Sequence, residues 1–296
     1  MTGGRSGGRC GGGSGGWAGG DYAAAGDAWA HAADDVVHGA LARYGRPGSP
    51  APRVLDVGTG SGPAALAAAG AGARVVGLDR EEGLLRVAAD RANAAGAGGA
   101  VRLVAADALA LPFAAGVFDV VLSTFGVMFV PGPARAAAEL VRVCRPGGLV
   151  VVASWTPDGV LGRIAPTVTR HLGSPPPAFP PTRWGETAHV RDWFGPLPVT
   201  VATRRERGEV RYPSLAHAVE VFENKPGPLR AHRSALEAAG RWGRARASPA
   251  ALFEEHNRAT DGSVRLDVPY LLVHAEVRAE PEPHRSSGTN KVRRGN

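Results

Sequence analysis

Val54-Leu55-Asp56-Val57-Gly58-Thr59-Gly60-Ser61-Gly62-Pro63 decides the fold of this 296-residue chain. The apolar residues before Gly58 read as a buried strand and the alanine-rich run after Pro63 as a helix, so the glycines occupy a strand-to-helix turn. Glycine permits positive φ and has no Cβ, which lets ligand atoms approach the backbone and meet the free amides of the helix start. An ordinary turn has no use for three glycines at alternate positions, since each costs conformational entropy. A nicotinamide-binding turn favours G-x-G-x-x-G, with two residues between its second and third glycines. Here only Ser61 separates Gly60 from Gly62, and Asp56 stands two places before Gly58.

Outward from this turn, short β-branched runs alternate with alanine-rich helical runs, the pattern of a parallel sheet covered on both faces. Strands are predicted at 53–57, 74–78, 101–105, 118–123 and 148–154, with helices at 61–70, 82–95 and 133–145. Arg145-Pro146-Gly147-Gly148 is read as the stop of the last helix. The fold class is therefore α/β, Rossmann-like and doubly wound, with a ligand expected beyond the carboxyl ends of the strands near the switch point. Upstream, Asp21 to Tyr44 reads as a helix with Trp29, Val36, Val37, Leu41 and Tyr44 on its apolar face, ended by Gly45-Arg46-Pro47-Gly48. After Trp155 the pattern loosens. Pro175-Pro176-Pro177 and Pro180-Pro181 mark an irregular excursion, and Val199–Ala202 with Glu209–Tyr212 read as a strand or hairpin. Helices at 214–224, 229–240 and 248–260 and a last strand at 264–277 complete the reading, with no internal repeat.

The formal charge of +7 and pI near 10.2 raise the question of a nucleic-acid partner. Residues 1–20, MTGGRSGGRCGGGSGGWAGG, carry +2, and the final stretch from Arg278 carries +3, which leaves +2 for the body. No basic stripe with interleaved aromatics stands out, so nucleic acid is not expected as a partner. The glycine-rich segment 1–20 and residues 279–296 read as disordered tails. Cys10 and Cys144 supply neither a disulfide framework nor a metal site, and fit a reducing cytoplasm. No apolar signal-peptide core and no run of roughly 20 apolar residues is present, so neither export nor a membrane span is expected. The sequence leaves the oligomeric state open.

Asp56 together with the glycine spacing makes the segment from about Asp21 to Trp155 resemble a class I S-adenosylmethionine-dependent methyltransferase. It is similar to the small-molecule branch typified by the enzymes of ubiquinone and menaquinone biosynthesis. The resemblance implies one domain: a mostly parallel seven-stranded sheet, a helical lid at 21–46, a cofactor-binding core at 47–155, and at 156–278 a substrate-side insertion with the last strands. In that family D-x-G-x-G-x-G cradles the methionine part of the cofactor, which implies Asp56, Gly58, Gly60 and Gly62, with Thr59 and Ser61 contributing backbone. Asp79, closing Val75-Val76-Gly77-Leu78-Asp79 about 20 residues beyond the glycines, is placed to accept both ribose hydroxyls. It is equally placed to cap the helix that begins near Glu81 and Glu82. Arg80 becomes a neighbour of the adenine. Asp107 in Ala105-Ala106-Asp107-Ala108 matches the residue that takes the adenine amine, with Ala108 supplying backbone, or else is a turn aspartate.

Phe118-Asp119-Val120-Val121-Leu122-Ser123-Thr124-Phe125-Gly126 matches the family's fourth strand, which makes Ser123, Thr124 and Phe125 candidates for the methionine end or the acceptor. No N/D-P-P-Y/F motif follows, against amino methylation of bases or protein amides. Asp119 lies at the far end of that strand and reads as structural. Displacement at a sulfonium needs alignment and exclusion of water more than an acid or base, so no catalytic residue is obligatory. His31, His171 and His189 are the histidines nearest the expected substrate side, and none is assigned as a base. Cys144, remote from the strand ends, is not expected to be a nucleophile. Trp155, Trp184 and Phe125 are candidates to stack on a flat acceptor, with Trp29 closing the site. The expected reaction moves a methyl group from S-adenosylmethionine to a small aromatic or lipid-like metabolite, on O, C or N, leaving S-adenosylhomocysteine and needing no metal. The alternatives are a methyltransferase of RNA or protein and a non-catalytic adenosine-ligand module. Asp79→Ala is expected to weaken cofactor binding while leaving the fold intact.

Overall fold

Val120, Val121, Leu122 and Ser123 follow one another in the chain and are all 0% exposed. Successive strand side chains point to opposite faces, so such a run needs cover on both. The computed structural model supplies it. It describes residues 30–45, 50–173, 180–224 and 227–279. Trp29, the proline run at 175–177 and the tails apart from Ala279 lie outside the described residues.

The order is α1 (Ala30–Tyr44), β1 (Arg53–Val57), α2 (Pro63–Gly70), β2 (Arg74–Asp79), α3 (Glu82–Ala94), β3 (Val101–Ala105), β4 (Phe118–Thr124), α4 (Pro133–Val143) and β5 (Cys144–Trp155). The second part runs α5 (Val160–Thr169), α6 (Thr187–Phe194), β6 (Val199–Tyr212), α7 (Leu215–Asn224), α8 (Pro228–Ala231), α9 (Arg233–Ala238), α10 (Trp242–His256) and β7 (Val264–Val277). The sheet has seven strands in the order β3-β2-β1-β4-β5-β7-β6. β1 to β5 are parallel, and β7 lies antiparallel between β5 and β6. The order reverses between β1 and β4, which opens a crevice at their carboxyl ends.

Three readings of the sequence are corrected. The helix expected at 133–145 ends at Val143, and Arg145-Pro146-Gly147-Gly148 lies inside β5. Cys144 pairs with Phe118 and the next pair is Leu149 with Val120, so the intervening residues form a bulge. Gly147 takes a φ of 72°, and a Cβ on Gly148 would meet the Cys144 sulfur at 2.6 Å. Residues 199–212 form one strand, paired residue for residue with β7 from Val199↔Val277 to Tyr212↔Val264. The polar run Thr203–Arg207 interrupts the apolar signal because β6 is an edge strand, where charge is tolerated and discourages further pairing. The helix expected at 248–260 is α10, which starts at Trp242 and carries Pro249 inside it. Pro249 has no N–H for the Ala245 carbonyl, and the Ser248 hydroxyl donates to that carbonyl instead at 2.7 Å.

The chain leaves the sheet twice on its way to the end, after β5 and again between β6 and β7. α5 from the first excursion packs on α10 from the second. Val168, Leu229, Leu236 and Ala245 form a small apolar cluster of their own there.

α1 packs along α2 and across β4 and β5. Its last residue is fixed at the end of the sheet remote from the crevice. The Tyr44 hydroxyl donates to Asp119 Oδ1 at 2.8 Å, the Arg53 amide to Oδ2 at 2.7 Å, and Arg145 Nε to Oδ1 at 2.7 Å. Burial alone would raise the Asp119 pKa, but the Arg53 amide, the Tyr44 hydroxyl and the Arg145 guanidinium together hold it below the ordinary value. Asp119 is thus a structural clamp. The opposite end of α1 brings Ala33 to the crevice.

Candidate active site

The crevice at the switch point is walled by the turn after β1, the ends of β2 and β3, and the turn after β4. Gly58, Gly60 and Gly62 have φ of 72°, 56° and 89°, so the left-handed conformation the spacing implied is used at every one. The amides of Gly58 and Thr59 both donate to the Leu78 carbonyl, at 2.8 and 2.9 Å, which folds the turn onto the end of β2. A Cβ on Gly58 would meet the Gly126 Cα at 2.8 Å, and one on Gly126 would meet the Gly58 carbonyl oxygen at 2.7 Å. The turns after β1 and β4 therefore pack backbone against backbone.

Asp79 lies in the wall and completes that arrangement. Its Oδ2 accepts the Gly60 amide at 2.9 Å and its Oδ1 the Glu81 amide at 3.0 Å. The residue therefore holds the glycine turn and the approach to α3 at once, with a further lone pair on each oxygen. Asp107 also lines the crevice, and its Oδ1 accepts the Leu109 amide at 2.8 Å. Arg80, Ala108, Thr59, Ser61 and Thr124 stand in the wall as well.

Other residues singled out from sequence support the wall from behind. Asp56 is 0% exposed and lies beneath the turn, accepting the Thr59 hydroxyl at 2.7 Å. Burial pushes its pKa up to about 6, and the nearby Asp79 charge adds to this, while the Thr59 hydroxyl and the Ala65 amide oppose it. Its Oδ1 is buried without a full hydrogen bond. Gly62 caps α2. Ser123, also fully buried, donates to the Val57 carbonyl at 2.7 Å and accepts the Val127 amide at 2.9 Å, bracing β1 against the turn after β4.

Phe125 borders the crevice with a φ of 56°, the non-glycine residue in the left-handed region among those described. Its ring stacks on Trp155 at 3.6 Å between centroids and 8° between planes. Trp155 thus backs Phe125 and is itself buried. Trp184 is 2% exposed and packs against Trp193 and Phe194, so it belongs to the core. His31, His171 and His189 do not line the crevice; His189 stacks on Trp193. Cys144 is buried, and burial pushes its thiol up to about 12, which leaves it un-ionised.

Sequence reasoning missed Ala33 and the stretch Val127, Phe129, Val130 and Pro131, which line the crevice beside Phe125. For Val127 to Pro131 the signal was available, since they directly follow the fourth strand, whereas nothing local marks Ala33 on α1. The wall is divided chemically. Asp79, Arg80, Glu81 and Asp107 stand at the ends of β2 and β3, while the β4 side from Thr124 to Pro131 has no ionisable side chain. Among the described residues no group of histidine, cysteine and carboxylate side chains is arranged to hold a metal, and no helix is long and apolar enough to cross a membrane.

These residues suit an adenosylated sulfonium. A glycine turn exposes backbone where the wall must be thin, a carboxylate stands at the end of β2, and an aromatic ring faces the β4 side. Comparison with known proteins agrees. Residues 55–152 match the family described as a methyltransferase domain. Two uncharacterized proteins of Mycobacterium tuberculosis strain H37Rv are 42% identical over 181 and 185 residues. These matches cover 60% and 62% of this chain and 65% and 67% of the relatives, so the chain spans about two thirds of their length. A demethylmenaquinone methyltransferase of Renibacterium salmoninarum is 42% identical over 107 residues, 36% of this chain and 43% of that protein. In fold, the YcgJ protein of Bacillus subtilis superposes with a TM-score of 0.56 at 17% identity, covering 84% of this chain and 99% of that one.

Proposed function

This chain belongs to the class I S-adenosylmethionine-dependent methyltransferase family, and from that premise we propose that it transfers a methyl group from S-adenosylmethionine to a small aromatic or lipid-like acceptor. The observation that carries the proposal is the Asp79 carboxylate bonded to the Gly60 amide at the mouth of the crevice, with an ionisable and an apolar wall on either side.

The cofactor supplies an already activated methyl group on a positively charged sulfur. Asp79 would accept the ribose hydroxyls through the lone pairs its two backbone amides leave free. Asp107 and Ala108 would take the adenine edge, with Arg80 beside it. The turn Gly58–Gly62 would hold the methionine part, with Thr59 and Ser61 in the wall and Asp56 and Ser123 fixing it from behind. Thr124 and Phe125 stand on the side from which an acceptor would approach. The face of the Phe125 ring offers favourable electrostatics to a cation, and Val127, Phe129 and Val130 exclude water from a transfer that depends on alignment. This apolar side supports an aromatic or lipid-like acceptor. It also leaves the acceptor's own nucleophilicity, on oxygen, carbon or nitrogen, to drive the displacement.

Isothermal titration with S-adenosylmethionine, S-adenosylhomocysteine and NAD tests the reading. The sulfur ligands are expected to bind and NAD to bind weakly or not at all; tighter NAD binding would sink it. Methyl transfer to small phenols, catechols and quinols, followed with isotopically labelled donor, then identifies the acceptor atom.

A further inference from the structure

A second cavity lies between α1 and the β6–β7 edge of the sheet. Tyr270, Leu272 and His274 line it from β7, alternate residues that share one face of the strand. Arg204 and Glu206 line it from β6, and α1 contributes residues from Asp35 to Arg43. Tyr270 connects it to the active site. It pairs with Trp155 across β5 and β7, and its ring meets Phe125 edge-on at 5.6 Å and Trp155 at 6.3 Å. Phe125 lines the first crevice and Tyr270 the second, while α1 gives Ala33 to one and Asp35 and Val36 to the other. The partition between them is built from Tyr270 and the first turns of α1.

The two ends of this second cavity differ. At the end near the partition the Tyr270 ring stands beside the Glu206 and Asp35 carboxylates, Glu206 being its partner across β6 and β7, with Val36 and Leu272 next to them. The far end holds His274, half-buried and without a hydrogen bond to any described residue. Burial first, and then the Arg43 and Arg204 charges, hold its pKa below the ordinary value, with Glu276 opposing them. Arg43 pairs with Glu276 at 2.6 Å and Arg204 with Glu206, while Arg207, bonded to Asp267 at 3.1 Å, lies at the other end opposite Pro269. A guanidinium has five N–H donors, so each of these arginines keeps donors beyond its carboxylate partner. An anion entering here would meet spare arginine donors and an imidazole able to take up a proton beside it. A hydrocarbon tail in the same place would desolvate charged groups and return nothing.

We infer that the methyl acceptor is elongated, with its reacting ring against Phe125 and an anionic far end seated at His274 in the second cavity, and that Tyr270 is the specificity-determining gate between the two. This rests on the methyltransferase reading and narrows it. From Tyr270 to His274 is four strand residues, or about 13 Å, which sets the length an acceptor must span beyond its ring.

The test uses the full chain loaded with S-adenosylhomocysteine and calorimetric titration of 4-hydroxyphenyl probes whose straight chains end in carboxylate, phosphate or methyl. At least one anionic series is expected to bind about tenfold or more tightly than the methyl series, with an optimum near the length that spans about 13 Å. Which of the two binds tighter identifies the anion. His274→Leu is expected to abolish the anionic preference and Tyr270→Ala the length preference, both leaving the affinity for S-adenosylhomocysteine within about twofold. Equal or tighter binding of the methyl series, no binding of any series to the loaded protein, or a preference that survives His274→Leu overturns the inference. Failure of the wild-type chain to bind S-adenosylhomocysteine overturns the methyltransferase reading beneath it.

Discussion

The Asp79 carboxylate accepts the Gly60 amide at 2.9 Å, tying the end of β2 to the glycine turn after β1. This changes what removal of the side chain should do. Read from sequence, Asp79→Ala weakens the cofactor and spares the fold. With the Gly60 and Glu81 amides both on this carboxylate, the substitution leaves two backbone donors short of partners. A loss of about 1–3 kcal/mol in unfolding free energy is expected together with weaker cofactor binding. Asp79→Asn, whose amide oxygen can keep one of the two bonds, should fall between. Denaturant unfolding with and without S-adenosylhomocysteine checks both effects; unchanged ligand affinity in Asp79→Ala would reduce the residue to a cap.

Phe125 reverses a usual rule. Glycine is normally less stable than alanine by roughly 0.5–1 kcal/mol because of its entropy in the unfolded chain. At a φ of 56°, however, alanine retains a left-handed strain of about 1–2 kcal/mol that glycine does not have. Both substitutions lose the stack on Trp155. Phe125→Gly should therefore be at least as stable as Phe125→Ala in chemical denaturation, and a clear advantage for alanine would show that the backbone relaxes out of this conformation.

Gly126 separates space from backbone freedom. Its φ is not positive, so alanine there is objectionable only because its Cβ would meet the Gly58 carbonyl oxygen at 2.7 Å. Gly72 is the opposite case, with a φ of 86° and nothing within 4 Å of an added Cβ. Gly126→Ala is expected to cost about 1–3 kcal/mol and to weaken the cofactor by pushing the two turns apart. Gly72→Ala should cost about 1 kcal/mol with ligand affinity intact. Thermal unfolding paired with titration of S-adenosylhomocysteine distinguishes them; equal loss of affinity in both would refute a local clash.

What the sequence could and could not disclose follows from the range of the interactions. The turn from Asp56 to Gly62 is short-range, and its glycines adopt the conformations their spacing implied. Ser123 was read as a wall residue because its strand was recognised, but its partners are the Val57 carbonyl, 66 positions away, and the Val127 amide. Only the pairing of β1 with β4 brings them together. Arg145-Pro146-Gly147-Gly148 looked like a helix stop because nothing local reveals that Cys144 pairs with Phe118. The two excursions that assemble α5, α7 and α10 carry no periodic signal linking them, so their common packing was invisible.

Asp56 should make stability depend on pH in a direction opposite to acid unfolding. Its pKa is pushed up to about 6 in the folded chain, against 3.8 for the unperturbed group. The folded state then holds this proton more tightly than the unfolded state, so the burial of the charge weighs against folding above pH 6 and is relieved as pH falls toward 4. The swing is about 3 kcal/mol at most. Asp119 and Glu139, whose pKa values are held below the ordinary ones, act the other way and lose their stabilising contribution as pH falls below 4. Asp56→Asn still accepts from Thr59 and has no charge to bury. Its stability relative to the wild type should be greatest above pH 7 and shrink toward pH 4.5; parallel profiles would mean that Asp56 is ionised at little cost.

Tyr44 links the far end of the sheet to the crevice through the length of α1. Its hydroxyl donates to Asp119, which also receives the Arg53 amide and the Arg145 guanidinium. Tyr44→Phe keeps the ring against Arg145 and removes two bonds, the one given to Asp119 and the one accepted from Arg145, so a loss of about 1–3 kcal/mol is expected. Asp119→Ala leaves the tyrosine, the amide and the guanidinium without their shared acceptor, and about 2–4 kcal/mol is expected. Because α1 spans from this clamp to Ala33 in the crevice wall, loosening the clamp should raise amide exchange along α1 and weaken the cofactor without altering any residue that touches it. Hydrogen exchange on both variants, with and without S-adenosylhomocysteine, decides the matter. If exchange rises along α1 and ligand affinity stays the same, the helix is a structural layer only; if both move together, the clamp and the crevice are coupled through it.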